Sequence, residues 1–139
     1  MNEKTARSLA RELIRPCGLL GHLVGRGDWW SDEGHRRRGK VAVGEVMAST
    51  FDLLEPLWVV YPTLDPSLAS DPFDLAKQDV TLRDRPEDLR SLLQELEEAL
   101  QKATPALVAE LPDAEAHFTK VSAKAAQSIV AARSLLTNH

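Results

Sequence analysis

The sequence predicts an all-α fold: an antiparallel helical bundle of about four principal helices with short extra helical turns. Three observations carry that expectation. Apolar residues recur at spacings of three and four in several long stretches, the period of one helix face. No stretch alternates apolar and polar residues as a half-buried strand does. Aromatic residues make up 5% of the chain, so the core has to be built from Leu, Val and Ala, which suit closely packed helices. The 139 residues are expected to form one domain spanning 1–139, large enough to bury a core without a disulfide or metal staple.

Residues 3–15 place Ala6, Leu9, Ala10, Leu13 and Ile14 on one stripe. Pro16 lacks an N–H and crowds the preceding turn, which predicts a break or kink there. A further turn or two then resumes through Cys17, Leu20, Leu23 and Val24. All seven glycines lie between Gly18 and Gly44, which marks 25–40 as a long irregular connection. From Val41 the helical period returns through Val43, Met47, Thr50 or Phe51, Leu54, Leu57 or Trp58, and Tyr61, with a kink at Pro56 and an end before Pro62.

A proline-rich connection over 62–72 follows. There Asp65-Pro66 and Asp71-Pro72 each set a capping carboxylate before a proline, predicting short helical turns. The clearest helix is 86–103, with Leu89, Leu92, Leu93, Leu96 and Leu100 on one stripe. Thr104-Pro105 reads as a fresh cap and restart, carrying a short piece to Leu111. Asp113 opens the last helix, about 114–136, whose stripe is Phe118, Val121, Ala125, Ile129, Ala132 and Leu136. The leucine stripe of 89–107 serves either as core or as a dimer seam, and core is favoured because every helix of a bundle needs one.

The net charge of −4 hides a strong asymmetry. Residues 1–40 carry net +4, residues 41–115 net −11 and residues 116–139 net +3. Segments of opposite sign either fold against each other or display basic and acidic faces to a partner. The single cysteine, Cys17, permits no internal disulfide and fits a reducing compartment; its apolar neighbours predict a buried structural thiol. No signal segment is evident, and the longest central apolar run, LWVVY, is far too short to span a bilayer. The expected location is the cytoplasm, with no membrane contact.

Chemistry concentrates in the stretch GRGDWWSDEGHRRRGK, residues 25–40. As a single-strand nucleic-acid binder, it would hold phosphates on Arg36–Arg38 and Lys40 and stack bases on Trp29 and Trp30. Asp28, Asp32 and Glu33 oppose that reading, as does the acidic chain overall. As a metal site, it would draw together His22, His35, Asp28 and His117 in a metal-assisted bundle enzyme. No histidine pair sits one turn apart, however, and no Glu-x-x-His motif is present. Nor is there a G-x-S-x-G elbow, a P-loop or a dinucleotide fingerprint. As packing, one tryptophan would plug the bundle end while the acids pair with the arginines. As a protein-binding loop, it combines Trp and Arg, the residue types that most often carry interface energy.

The reading adopted from sequence is therefore a non-enzymatic accessory or regulatory protein acting through protein–protein contacts, with no cofactor and no metal. Its binding set is Trp29, Trp30, Asp32, Glu33, His35, Arg36, Arg37 and Arg38. Trp29 and Trp30 anchor a protein partner, Arg36–Arg38 recognise acidic groups on it, and Asp32 and Glu33 set orientation. A small homo-oligomer is a further expectation. The metal-assisted enzyme and the single-strand binder stand as alternatives.

Overall fold

Each long apolar stripe becomes one face of a helix, and four such faces enclose a common core. The computed structural model describes residues 2–24, 29–64 and 86–136. Its principal helices are α1 (Glu3–Val24), α2 (Glu33–Val60), α3 (Pro86–Glu110) and α4 (Glu115–Leu135). Two 3-10 turns, Pro62–Leu64 and Pro112–Ala114, follow α2 and α3. No strand occurs among the described residues; the only bridge is an isolated antiparallel pair, Trp30 with Leu136. The fold is an all-α helical bundle.

The helices pack as a ring. α2 makes its most extensive contact with α4, and α1 lies against both α2 and α3, while α3 closes the ring on α4. Short connections make α1/α2 and α3/α4 neighbours that run in opposite directions. Trp30, before the start of α2, meets Leu136, beyond the end of α4, so this pair is antiparallel too. His117, early in α4, donates its Nε2–H to the Asp52 carbonyl late in α2 at 2.7 Å, which fixes the same sense. Ion pairs tie α1 to α3 (Arg15–Glu95, 3.2 Å) and the last turn of α4 to α3 (Arg133–Glu97, 3.3 Å). The end of α2 and the start of α3 thus lie at opposite ends of the bundle, about 37 Å apart for a 25-residue helix.

The predicted stripes are the observed core. Ala6, Leu13, Cys17, Leu20 and Leu23 of α1 are buried, as are Leu89, Leu92, Leu93, Leu96, Leu100 and Leu107 of α3. The leucines of α3 are therefore spent inside the chain and form no dimer seam. On α4, Phe118, Ala125, Ser128, Ile129 and Ala132 face inward. The small side chains of Ala125, Ser128 and Ala132 let α2 approach through its own Gly39, Ala42, Val43 and Val46.

The breaks that Pro16 and Thr104-Pro105 signal do not occur, and the expected kink at Pro56 falls inside a continuous helix. α1 runs unbroken through Pro16, because Leu13, Cys17 and Leu20 are buried in the core on both sides of the proline. Burial of such flanking residues outweighs the roughly 3 kcal/mol that an interior proline costs a helix. α2 likewise passes through Pro56 and α3 through Pro105. Thr104 does not cap a new helix: its hydroxyl donates back to the Leu100 carbonyl at 2.7 Å within the same one. Nor does Asp113 cap α4; it sits in the 3-10 turn, and the residue before α4 is Ala114, which makes no side-chain cap bond.

The irregular connection expected over 25–40 is shorter in the structure, because α2 already begins at Glu33. The paired Asp-Pro turns at 65–66 and 71–72 lie outside the described residues.

Candidate functional site

The start of α2 is built by one carboxylate. Asp32 has extended backbone angles (φ −155°, ψ 178°), and its Oδ1 accepts the His35 backbone N–H at 2.8 Å. The Asp32 carbonyl accepts the Arg36 N–H at 2.9 Å, the first helical bond. One otherwise orphan donor of the exposed helix end, the His35 N–H, is thereby satisfied, and Glu33 adds a negative charge to the positive end of the dipole. The same Oδ1 lies 2.8 Å from Nδ1 of the His35 ring. These bonds, the backbone one first, hold the Asp32 carboxyl below its usual range. The cap locks a helical path onto residues whose glycines suggested a loop.

Once the path is helical, the arginines are distributed around it. Glu33 lies 3.9 Å from Arg36 and 4.0 Å from Arg37, pairs one turn apart on an exposed surface. Arg37 stays 81% exposed, and Arg38 donates only to the Gly34 carbonyl, at 3.4 Å. Surface pairs of this kind contribute about 0–1 kcal/mol and leave the guanidinium groups open to other contacts.

The tryptophans go the other way. Trp29 is 0% exposed, and its Nε1–H donates to the Leu23 carbonyl at 2.6 Å, satisfying one of the orphan carbonyls at the end of α1. Trp30 is 6% exposed and lies flat against Gly39, where an added Cβ would fall 2.4–2.6 Å from three of its ring carbons. Its Nε1 is buried with no partner among the described residues. Together the indoles close the end of the bundle where α1 stops, α2 starts and α4 finishes.

This corrects the sequence expectation for Trp29 and Trp30. Neither indole is displayed as an anchor, because burying so large an apolar ring stabilises the domain more than exposing it. The stacking platform needed for single-strand nucleic-acid binding is absent for the same reason. Asp32 and Glu33, expected to orient a partner, already serve the cap and the arginines. Of the eight predicted residues, the structure leaves Asp32, Glu33, His35, Arg36, Arg37 and Arg38 together at the surface, around the first two turns of α2.

Of the proposed metal donors, His35 and His117 are described, and each is engaged elsewhere. Among the described residues no group of three or more His, Cys, Asp or Glu could hold a metal ion. His35 is engaged by Asp32, and His117 is tied to the Asp52 carbonyl. Asp28, His139 and the side chain of His22 lie outside the described residues. Cys17 is buried between helices, and burial pushes its thiol up to about 12, partly offset by a bond with Thr50. It stays protonated, as expected of a structural cysteine. No helix among the described residues is long and apolar enough to cross a membrane.

Sequence reasoning missed the apolar side of the site. Val41 follows the arginines by one turn and is 61% exposed. It lines a shallow groove between α2 and α4 with Arg38, Ala42, Glu45, Ala131 and Leu135. A signal was present: Val41 falls off the inward stripe of Val43, Met47, Thr50, Leu54 and Leu57.

Comparison with known proteins adds no relative: no family model, characterised protein or solved structure matches the chain.

Proposed function

We propose that the chain is a non-enzymatic accessory or regulatory protein that acts through protein–protein contacts, with Arg36, Arg37 and Arg38 reading an acidic partner. One observation carries the reading. A capped, firmly seated helix start presents guanidinium groups that are exposed and weakly neutralised by their own chain. Guanidinium forks match carboxylates bidentately, and a rigid backbone lowers the ordering cost of docking. The exposed Val41 beside them supplies apolar area at the edge of the same surface. The proposed location is the cytoplasm, supported by the single buried cysteine, which suits a reducing compartment.

The test compares wild type with the triple variant Arg36→Glu/Arg37→Glu/Arg38→Glu by affinity capture from native lysate. Helicity and melting temperature are measured alongside. The expected outcome is an associated protein that is lost from the variant and released by salt, at unchanged stability. An identical captured set for both proteins would refute the proposal.

A further inference from the structure

The outward face of α2 is covered by no other described element. Arg37, Arg38, Val41, Ala48, Asp52 and Glu55 follow one another along it at helical spacing, all exposed. At Gly44, in the middle of this face, a Cβ would meet nothing within 4 Å. Along these six residues the cations lie at the N-terminal end, where Glu33 accompanies Arg37, and the carboxylates lie toward the C-terminal end, with Val41 and Ala48 between. Among the described residues the Asp52 and Glu55 carboxylates make no ion pair. Arg38 reaches only a carbonyl, and Arg37 lies 4.0 Å from Glu33. A helix face with weakly paired cations at one end and carboxylates that make no ion pair among the described residues at the other is complementary to itself when reversed.

The geometry points to a second copy of this chain as the occupant, with the two α2 helices packed antiparallel about a two-fold axis beside Gly44. This deepens the proposed protein–protein role and rests on it: the acidic surface read by the arginines is Asp52 and Glu55 of the other copy. One axis, midway between Gly44 and Glu45, serves two pairings at once. Arg37 and Asp52 lie equally far on either side of it, and so do Val41 and Ala48. Arg37 of each copy therefore faces Asp52 of the other, with Arg38 and Glu55 flanking, while Val41 meets Ala48 across the centre.

Gly44 leaves room for the helices to approach within the 8–10 Å usual for helix pairs. Glu45 would otherwise meet its own image near the axis. Its Oε2 instead accepts a bond from Ser128 Oγ at 3.4 Å, which draws it toward α4. Such an interface is isologous, the commonest arrangement of two identical chains.

Sedimentation velocity on the full chain tests this over about 1–200 μM, the affinity range of a modest interface. Wild type is expected to show a monomer–dimer equilibrium that weakens from about 50 mM to about 500 mM salt. Arg37→Glu/Arg38→Glu and Asp52→Lys/Glu55→Lys are each expected to weaken it by about tenfold or more, since like charges then meet at both ends. An equimolar mixture of the two variants is expected to recover a one-to-one dimer, because both ends again oppose unlike charges.

A wild-type chain that stays monomeric overturns the inference. So does a dimer indifferent to both reversals, or a pair of variants that fails to recombine. Circular dichroism confirms the fold of each variant; should one not fold, Ala48→Arg on the same face replaces it and is expected to be helical and monomeric. If dimerisation fails while lysate capture still depends on Arg36–Arg38, the dimer is wrong and the wider binding role stands.

Discussion

Trp29 and Trp30 and the arginines at 36–38 belong to one short stretch of chain, yet they end on opposite sides of the protein's surface. The indoles are buried at the end of the bundle, one bonded to the Leu23 carbonyl and the other pressed on Gly39. The guanidinium groups stand in solvent around the first turns of α2. The difference teaches that proximity in sequence does not make a functional unit. Each side chain is sorted by its own transfer free energy, and the helix that Asp32 starts supplies both an inner and an outer face. The inner half of the stretch is architecture; the outer half stands exposed to solvent.

Substitutions on the two halves should separate accordingly. The largest effect is expected from Trp29→Ala, which removes a fully buried ring and orphans the Leu23 carbonyl; denaturant unfolding should report a loss of about 3–5 kcal/mol. If that variant were as stable as wild type, the inner half would not be architecture. Gly39→Ala comes next. The new methyl group meets the buried Trp30 ring, and an overpacking cost of about 1–3 kcal/mol should outweigh the helix propensity gained. Gly44→Ala, on the same helix with open space around it, should instead stabilise by about 0.5–1 kcal/mol. The opposite signs of two chemically identical changes test the placement of Trp30 directly.

Asp32→Ala should lower the melting temperature at neutral pH through loss of the cap. Because the folded protein holds this carboxyl below its usual range, its contribution is complete above the ordinary value of about 4. It fades as pH falls through the lower folded-state value, so the gap between wild type and variant should close in acid. A gap that widened on acidification would contradict the cap. The smallest change in stability is expected from Arg37→Glu/Arg38→Glu, within about 0.5 kcal/mol in a chemical melt. Its consequences should appear in association instead.

Much of the architecture was legible because helical periodicity reports burial directly. Leu89 through Leu100 and Phe118 through Leu136 each occupy the face that their spacing assigns. Boundaries were less legible where a local rule opposed a tertiary one. Pro16 and Pro105 signal breaks, and the glycines at 34 and 39 signal a loop, but packing keeps Pro16, Pro105 and Gly39 helical and the Asp32 cap does so for the exposed Gly34. The candidate site was read half correctly. Its charged residues were visible as a run, whereas the exposed Val41 was signalled only by falling off the inward stripe of α2.

By itself the sequence determined the helical class, the four apolar stripes and the uneven distribution of charge, since these depend on residue type and spacing alone. Only the tertiary structure decided which aromatic rings are spent in the core, which prolines are tolerated, and which cations remain without a close carboxylate. Those outcomes depend on neighbours far away in the chain. A side chain's burial, and with it the strength of every charge and hydrogen bond it makes, is set by what packs against it from other helices.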